Sequence, residues 1–66
     1  MRLTVNGEAR DVPGGVTIAA LVTLLGLDRR KLAVERNLEI VPKSAFDATQ
    51  ITEGDCLEIV HFIGGG

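Results

Sequence analysis

Apolar and polar residues alternate from the start of the chain. Leu3 and Val5 fall on one side of an extended segment, Arg2 and Thr4 on the other, so a half-buried strand is expected over residues 2–6. Asn6-Gly7 follows, a pair in which both positions tolerate positive φ, and it predicts a tight hairpin returning over residues 8–12. Pro13-Gly14-Gly15 ends that strand. The period then changes. Ile18, Leu21, Val22 and Leu25 recur at i, i+3, i+4 and i+7, one face of a helix that Thr17 can cap and that Gly26 can close. Alternation returns over residues 32–36, with Leu32 and Val34 opposite Ala33 and Glu35. Asn37-Leu38 turns, and Glu39-Ile40-Val41 is a short strand stopped by Pro42. Residues 44–49 read as irregular, with one 3₁₀ turn around Phe46, whose ring plugs the bottom of the core. Thr52-Glu53-Gly54-Asp55 turns into a last strand over residues 56–62.

The predicted order is β-β-α-β-β-β. A helix this short is marginal alone and must pack on a sheet that is apolar on one side, which gives a two-layer α+β domain. The long link from the second strand through the helix to the third implies at least one parallel pair, reached by a crossover.

Composition narrows the functions open to such a domain. Sixty-six residues make one domain, here residues 1–63 with a glycine tail at 64–66. A chain of this size buries only about 60% of its unfolded surface, too little for a cleft enzyme. One cysteine allows no internal disulfide, and one cysteine with one histidine cannot close a zinc shell, so no metal site is expected. Stability must come from packing, which a 45% hydrophobic content allows. The lone thiol suits a reducing compartment. The N-terminus has no signal-like apolar core, and the longest apolar stretch, residues 16–27, is too short and too interrupted for a membrane span. A soluble cytoplasmic protein, monomeric when free, is the expectation. Net charge is −2, and the single basic cluster, Arg29-Arg30-Lys31, follows the helix end, where cations suit the macrodipole. With no basic stripe and only Phe46 and Phe62 as aromatics, nucleic-acid binding is not expected.

Candidate chemistry gathers at the end of the chain, where Leu57-Glu58-Ile59-Val60-His61-Phe62 runs into Ile63-Gly64-Gly65-Gly66. Glycine has no Cβ and packs nothing. Three in a row make a thin rod that reaches about 10 Å when extended and can enter a channel closed to any side chain. The tail alone leaves two readings open: the Gly66 carboxylate is a working group, or the segment is a frayed end or an expression remnant. The last strand helps. Leu57 and Ile59 share a core face with His61 further along, while Glu58, Val60 and Phe62 share the other. Glu58 marks that second face as wet, so Val60 and Phe62, with Ile63, read as a docking patch beside the tail, although scattered exposed apolar residues are also normal. His61 has no nucleophile or orienting carboxylate near it in sequence and is read as a strand-end residue, not a general base. Cys56, between Asp55 and Leu57, lacks a base or cation beside it and is read as a small packing residue. No catalytic residue is expected; the protein is not an enzyme.

These features resemble the ubiquitin-like β-grasp proteins and, more closely, the sulfur carrier family of the thiamine pathway. The resemblance is carried by Val34-Glu35-Arg36-Asn37, by Glu39-Ile40-Val41-Pro42, by Glu58 through Gly66, and by the opening Leu3-Thr4-Val5-Asn6-Gly7-Glu8. It covers the full length. It implies a mixed sheet on one main helix, and a C-terminal glycine, here Gly66, that an ATP-dependent activating enzyme adenylates. A sulfur donor chain with a cysteine desulfurase then converts the adenylate to a thiocarboxylate, which donates sulfur to thiazole synthase. The carrier binds no cofactor; ATP belongs to the activating enzyme. Gly64 and Gly65 would supply clearance. Two similar readings remain beside it: the small subunit of molybdopterin synthase, usually longer, and a ubiquitin-like protein modifier. A plain binding module with an inert tail is a third.

Overall fold

The structure is a computed structural model that describes residues 1–62. Strands β1 (Arg2–Val5) and β2 (Glu8–Asp11) form the expected antiparallel hairpin, with Arg2 opposite Asp11 and Val5 opposite Glu8. At its tip Asn6 and Gly7 take φ of 51° and 83°, the doubly positive turn whose twist matches that of the two strands. Helix α1 (Ile18–Leu24) follows, then β3 (Leu32–Arg36) and β4 (Glu39–Val41), joined through Asn37 and Leu38, again both at positive φ. Strand β5 (Cys56–His61) closes the fold. Short 3₁₀ turns at Arg29–Lys31 and Lys43–Ala45 lead into β3 and out of β4.

The five strands form one mixed sheet in the order β2-β1-β5-β3-β4. A parallel pair exists, as expected, but it joins the first and last strands: Thr4 is opposite Cys56 and Val5 opposite Leu57. The strands on either side of the helix, β2 and β3, are kept apart by β1 and β5. Side-chain character accounts for this. All four residues of β2 are exposed and three are charged, so β2 suits an edge. The apolar rows of β1 (Leu3, Val5) and β5 (Leu57, Ile59) are buried and belong in the middle.

Helix α1 covers those rows. The Thr17 hydroxyl accepts the Ala20 N–H at 3.1 Å, capping the first turn. Ile18, Leu21 and Val22 face the sheet and are buried, while Leu25 packs at the margin. Gly26 at φ 73° ends the helix, and the Leu27 N–H reaches back to the Val22 carbonyl at 3.1 Å. Phe46 has no exposed surface and fills the space beneath the helix. The 3₁₀ turn ends at Phe46 instead of surrounding it. Burying a side chain of that size contributes about 1.5–3 kcal/mol, so this ring and the buried leucines dominate a small core.

The structure corrects one side chain. Cys56 is exposed and is not a packing residue. It begins β5 in the outward register of Glu58 and Val60, because Leu57 and Ile59 take the inward positions.

Candidate functional site

The candidate site is the far end of β5, and its geometry starts with what holds that strand. β5 lies at the centre of the sheet between β1 and β3. Two hairpin turns latch it from opposite sides. On one, β1 turns away at Asn6, but the Asn6 side chain continues the ladder: its amide oxygen accepts the Ile59 N–H at 2.7 Å and its Nδ2 donates to the Ile59 carbonyl at 3.2 Å. On the other, the Asn37 side chain accepts the Cys56 N–H at 2.9 Å while the Asn37 N–H donates to the Cys56 carbonyl at 2.8 Å.

Just before β5, Asp55 is buried and fully engaged. Its carboxylate accepts from Arg36 Nε at 2.7 Å, Asn37 Nδ2 at 3.1 Å, the Thr52 N–H at 2.9 Å and the Thr52 hydroxyl at 3.0 Å. Burial pushes the Asp55 carboxyl up. The bonds from the Thr52 N–H, Arg36, Asn37 and the Thr52 hydroxyl outweigh it and hold its pKa down at about 2. Val34-Glu35-Arg36-Asn37 thereby acquires a physical role. Val34 is core, and Arg36 with Asn37 clasps the entry of β5.

At its other end the strand runs to His61, one residue short of the expected boundary, yet the Phe62 N–H still donates to the Lys31 carbonyl at 2.8 Å. The Phe62 ring is covered on one side by Lys43, whose ammonium lies 5.3 Å from the ring centroid and donates to the Arg30 carbonyl at 2.8 Å. The backbone is therefore tied down as far as Phe62. The residues expected to follow it into the site, Ile63, Gly64, Gly65 and Gly66, lie outside the described residues.

Of the residues expected to form a docking patch, Val60 is 60% exposed and Phe62 44% exposed. Strand register adds one that the sequence reading missed. Glu35 is opposite both Glu58 on β5 and Ile40 on β4, so Ile40, 67% exposed, shares this outward face. Alternation within β4 marks Ile40 as opposite in sense to Glu39 and Val41, but only the pairing shows which face that is. His61 is exposed at the strand end. Among the described residues no three His, Cys, Asp or Glu side chains come together to hold a metal ion, and no helix is long and apolar enough to cross a membrane.

A mixed five-stranded sheet folded over one helix, with its first and last strands paired in parallel at the centre, is the ubiquitin-like β-grasp fold. Comparison with known proteins narrows the class. A profile described as the ThiS family matches residues 3–66. The chain belongs to the ThiS family. The crystal structure of a thiamine biosynthesis protein (ThiS) from Geobacter metallireducens superposes with a TM-score of 0.86 at 36% identity, covering all of both chains. The sulfur carrier protein ThiS of Bacillus subtilis is 40% identical over 50 residues, 76% of each chain. A thiazole synthase of Paramagnetospirillum magneticum is 56% identical over all 66 residues, and the chain spans 20% of that protein's length.

Proposed function

We propose that this chain carries sulfur in thiamine biosynthesis, as a protein co-substrate, on the carboxylate of Gly66. One observation carries the reading: membership of the ThiS family over residues 3–66, a span that includes the glycine tail. The likeness to the Bacillus subtilis sulfur carrier supports it. The fold is compatible, because the last strand is held on both sides up to Phe62 and the three glycines follow within two residues.

The chemistry follows from the weakness of a carboxylate as an electrophile. Attack of a Gly66 oxygen on the α-phosphorus of ATP, in an activating enzyme, releases pyrophosphate and leaves an acyl adenylate with AMP as a good leaving group. The terminal sulfur of a persulfide, charged by a cysteine desulfurase, adds to the carbonyl and expels AMP. A thiol on the donor side then takes the inner sulfur of the acyl disulfide into a disulfide, and the thiocarboxylate remains on Gly66. Gly64 and Gly65 give the tail the clearance to enter each enzyme. Val60, Phe62 and Ile63 form the surface by which partners hold the domain, which makes delivery effectively intramolecular once docked. Thiazole synthase is the proposed acceptor. A thiazole synthase that contains a segment matching the whole chain favours that choice.

A strain lacking the chain should require thiazole for growth. The intact gene should remove the requirement, and a gene ending at Gly64 should not. A molybdenum-cofactor defect without thiazole dependence would overturn the pathway. Rescue by the shortened gene would overturn the role of the tail.

A further inference from the structure

The sheet face turned away from α1 carries two features that the fold does not need. One is apolar: Ile40, Val60 and Phe62 are exposed along it. The other is charge. The β3–β5 register sets Glu35 directly opposite Glu58, with Ile40 beside Glu35 in the same row and Val60 next along β5 on the same face. Like charges directly opposite on a sheet destabilise it. Among the described residues neither carboxylate makes an ion pair or a side-chain hydrogen bond, and the five arginines are paired with other acids: Asp11, Glu8, Asp47, Asp28 and Asp55. A repulsive pair left without a cation, in an apolar frame, is matched by a surface that brings the cation.

We propose that this face docks the activating enzyme, and that Glu35 and Glu58 together receive a basic side chain, best an arginine, from the rim of that enzyme's active site. The proposal rests on the carrier reading. Reach argues for an enzyme that works on Gly66. Phe62 is four residues beyond Glu58, about 13 Å along the strand. Residues 63–66 extend at most about 14 Å further. A standard interface of about 800 Å² per partner is roughly 30 Å across, so a surface seated at the root of the tail extends past Glu58. Charge argues for the activating enzyme over the sulfur acceptor. Its site must hold a triphosphate and a carboxylate together, and a site built for two anions surrounds its entrance with positive potential. A guanidinium between the two carboxylates makes charge-assisted hydrogen bonds and turns the repulsion into attraction.

The test uses the double variant E35Q/E58Q, which keeps side-chain shape and removes both charges, with E58Q alone at the exposed position as a second variant. ATP–pyrophosphate exchange by the activating enzyme is measured against carrier concentration at low and high salt, with thermal unfolding alongside. The double variant should melt at the same temperature or higher. Its KM in exchange should rise about tenfold with kcat unchanged, and the salt dependence of the wild-type KM should flatten. Sulfur transfer from pre-charged variant to thiazole synthase should match wild type. An unchanged exchange KM with a wild-type carrier that is charged normally overturns the proposal, as does a defect confined to the transfer step. A wild-type carrier that supports no exchange at all overturns the carrier reading itself, and the docking proposal with it.

Discussion

Asp55 shows how much one side chain can hold. It is the one buried charged residue among those described, and four donors converge on it from Arg36, Asn37 and Thr52. D55N cannot accept from all four, and it leaves the Arg36 guanidinium without its partner. It should lower unfolding stability by about 2 kcal/mol or more, read from urea denaturation. The same carboxylate sets a pH dependence. Its pKa is about 2 in the folded protein against an ordinary 3.8, so the unfolded chain takes up the proton first as pH falls. Its contribution, on the order of 2 kcal/mol, is therefore full above about pH 4 and is lost as pH falls through about 2. Wild-type stability should drop across that window, and D55N should lack this part of the drop. An equal slope in both proteins would contradict the assignment.

The elements were largely legible from local pattern. Alternation marked β1, β3 and the inward rows of β5, the 3-4 spacing marked α1, and Asn6-Gly7 and Thr17 acted as the turn and cap their chemistry suggests. What stayed hidden joins residues far apart. Asn6 is visible in sequence as a turn residue, but its bonds to Ile59 span 53 positions, and no local rule connects them. Asp55 reads as a turn residue for the same reason, since Arg36 lies 19 positions away. Cys56 was misplaced because packing was weighed residue by residue, whereas the strict alternation of β5 already sends it outward with Glu58. The parallel pairing of β1 with β5 depends on which strands tolerate an edge, a property of the whole sheet. The Asn6 latch is testable at this scale. N6A leaves the Ile59 N–H and carbonyl without their partners at the centre of the sheet and should cost about 1–3 kcal/mol. Amide exchange should quicken at Ile59 more than in α1. Uniform loss of protection would mean that Asn6 acts only through the turn.

At the scale of the molecule, a small domain places one well-held strand at the middle of a sheet and continues it into glycines. The core, the two asparagine latches and the Asp55 clasp all converge on β5, so the strand that leads to Gly66 is also the strand the fold holds most firmly. Substituting Gly65 separates folding from reach. G65V should leave thermal unfolding unchanged, because residue 65 lies beyond the last strand and outside the core. It should nevertheless abolish charging by blocking the activating-enzyme channel. The most direct test is intact mass spectrometry of the wild-type protein incubated with its activating enzyme, ATP and a persulfide sulfur donor, with fragmentation to locate the change. The account predicts exchange of one oxygen for sulfur, confined to Gly66 and absent without ATP or in G65V. A mass that never changes under these conditions, or Gly66 found instead in isopeptide bonds to other proteins, would contradict it.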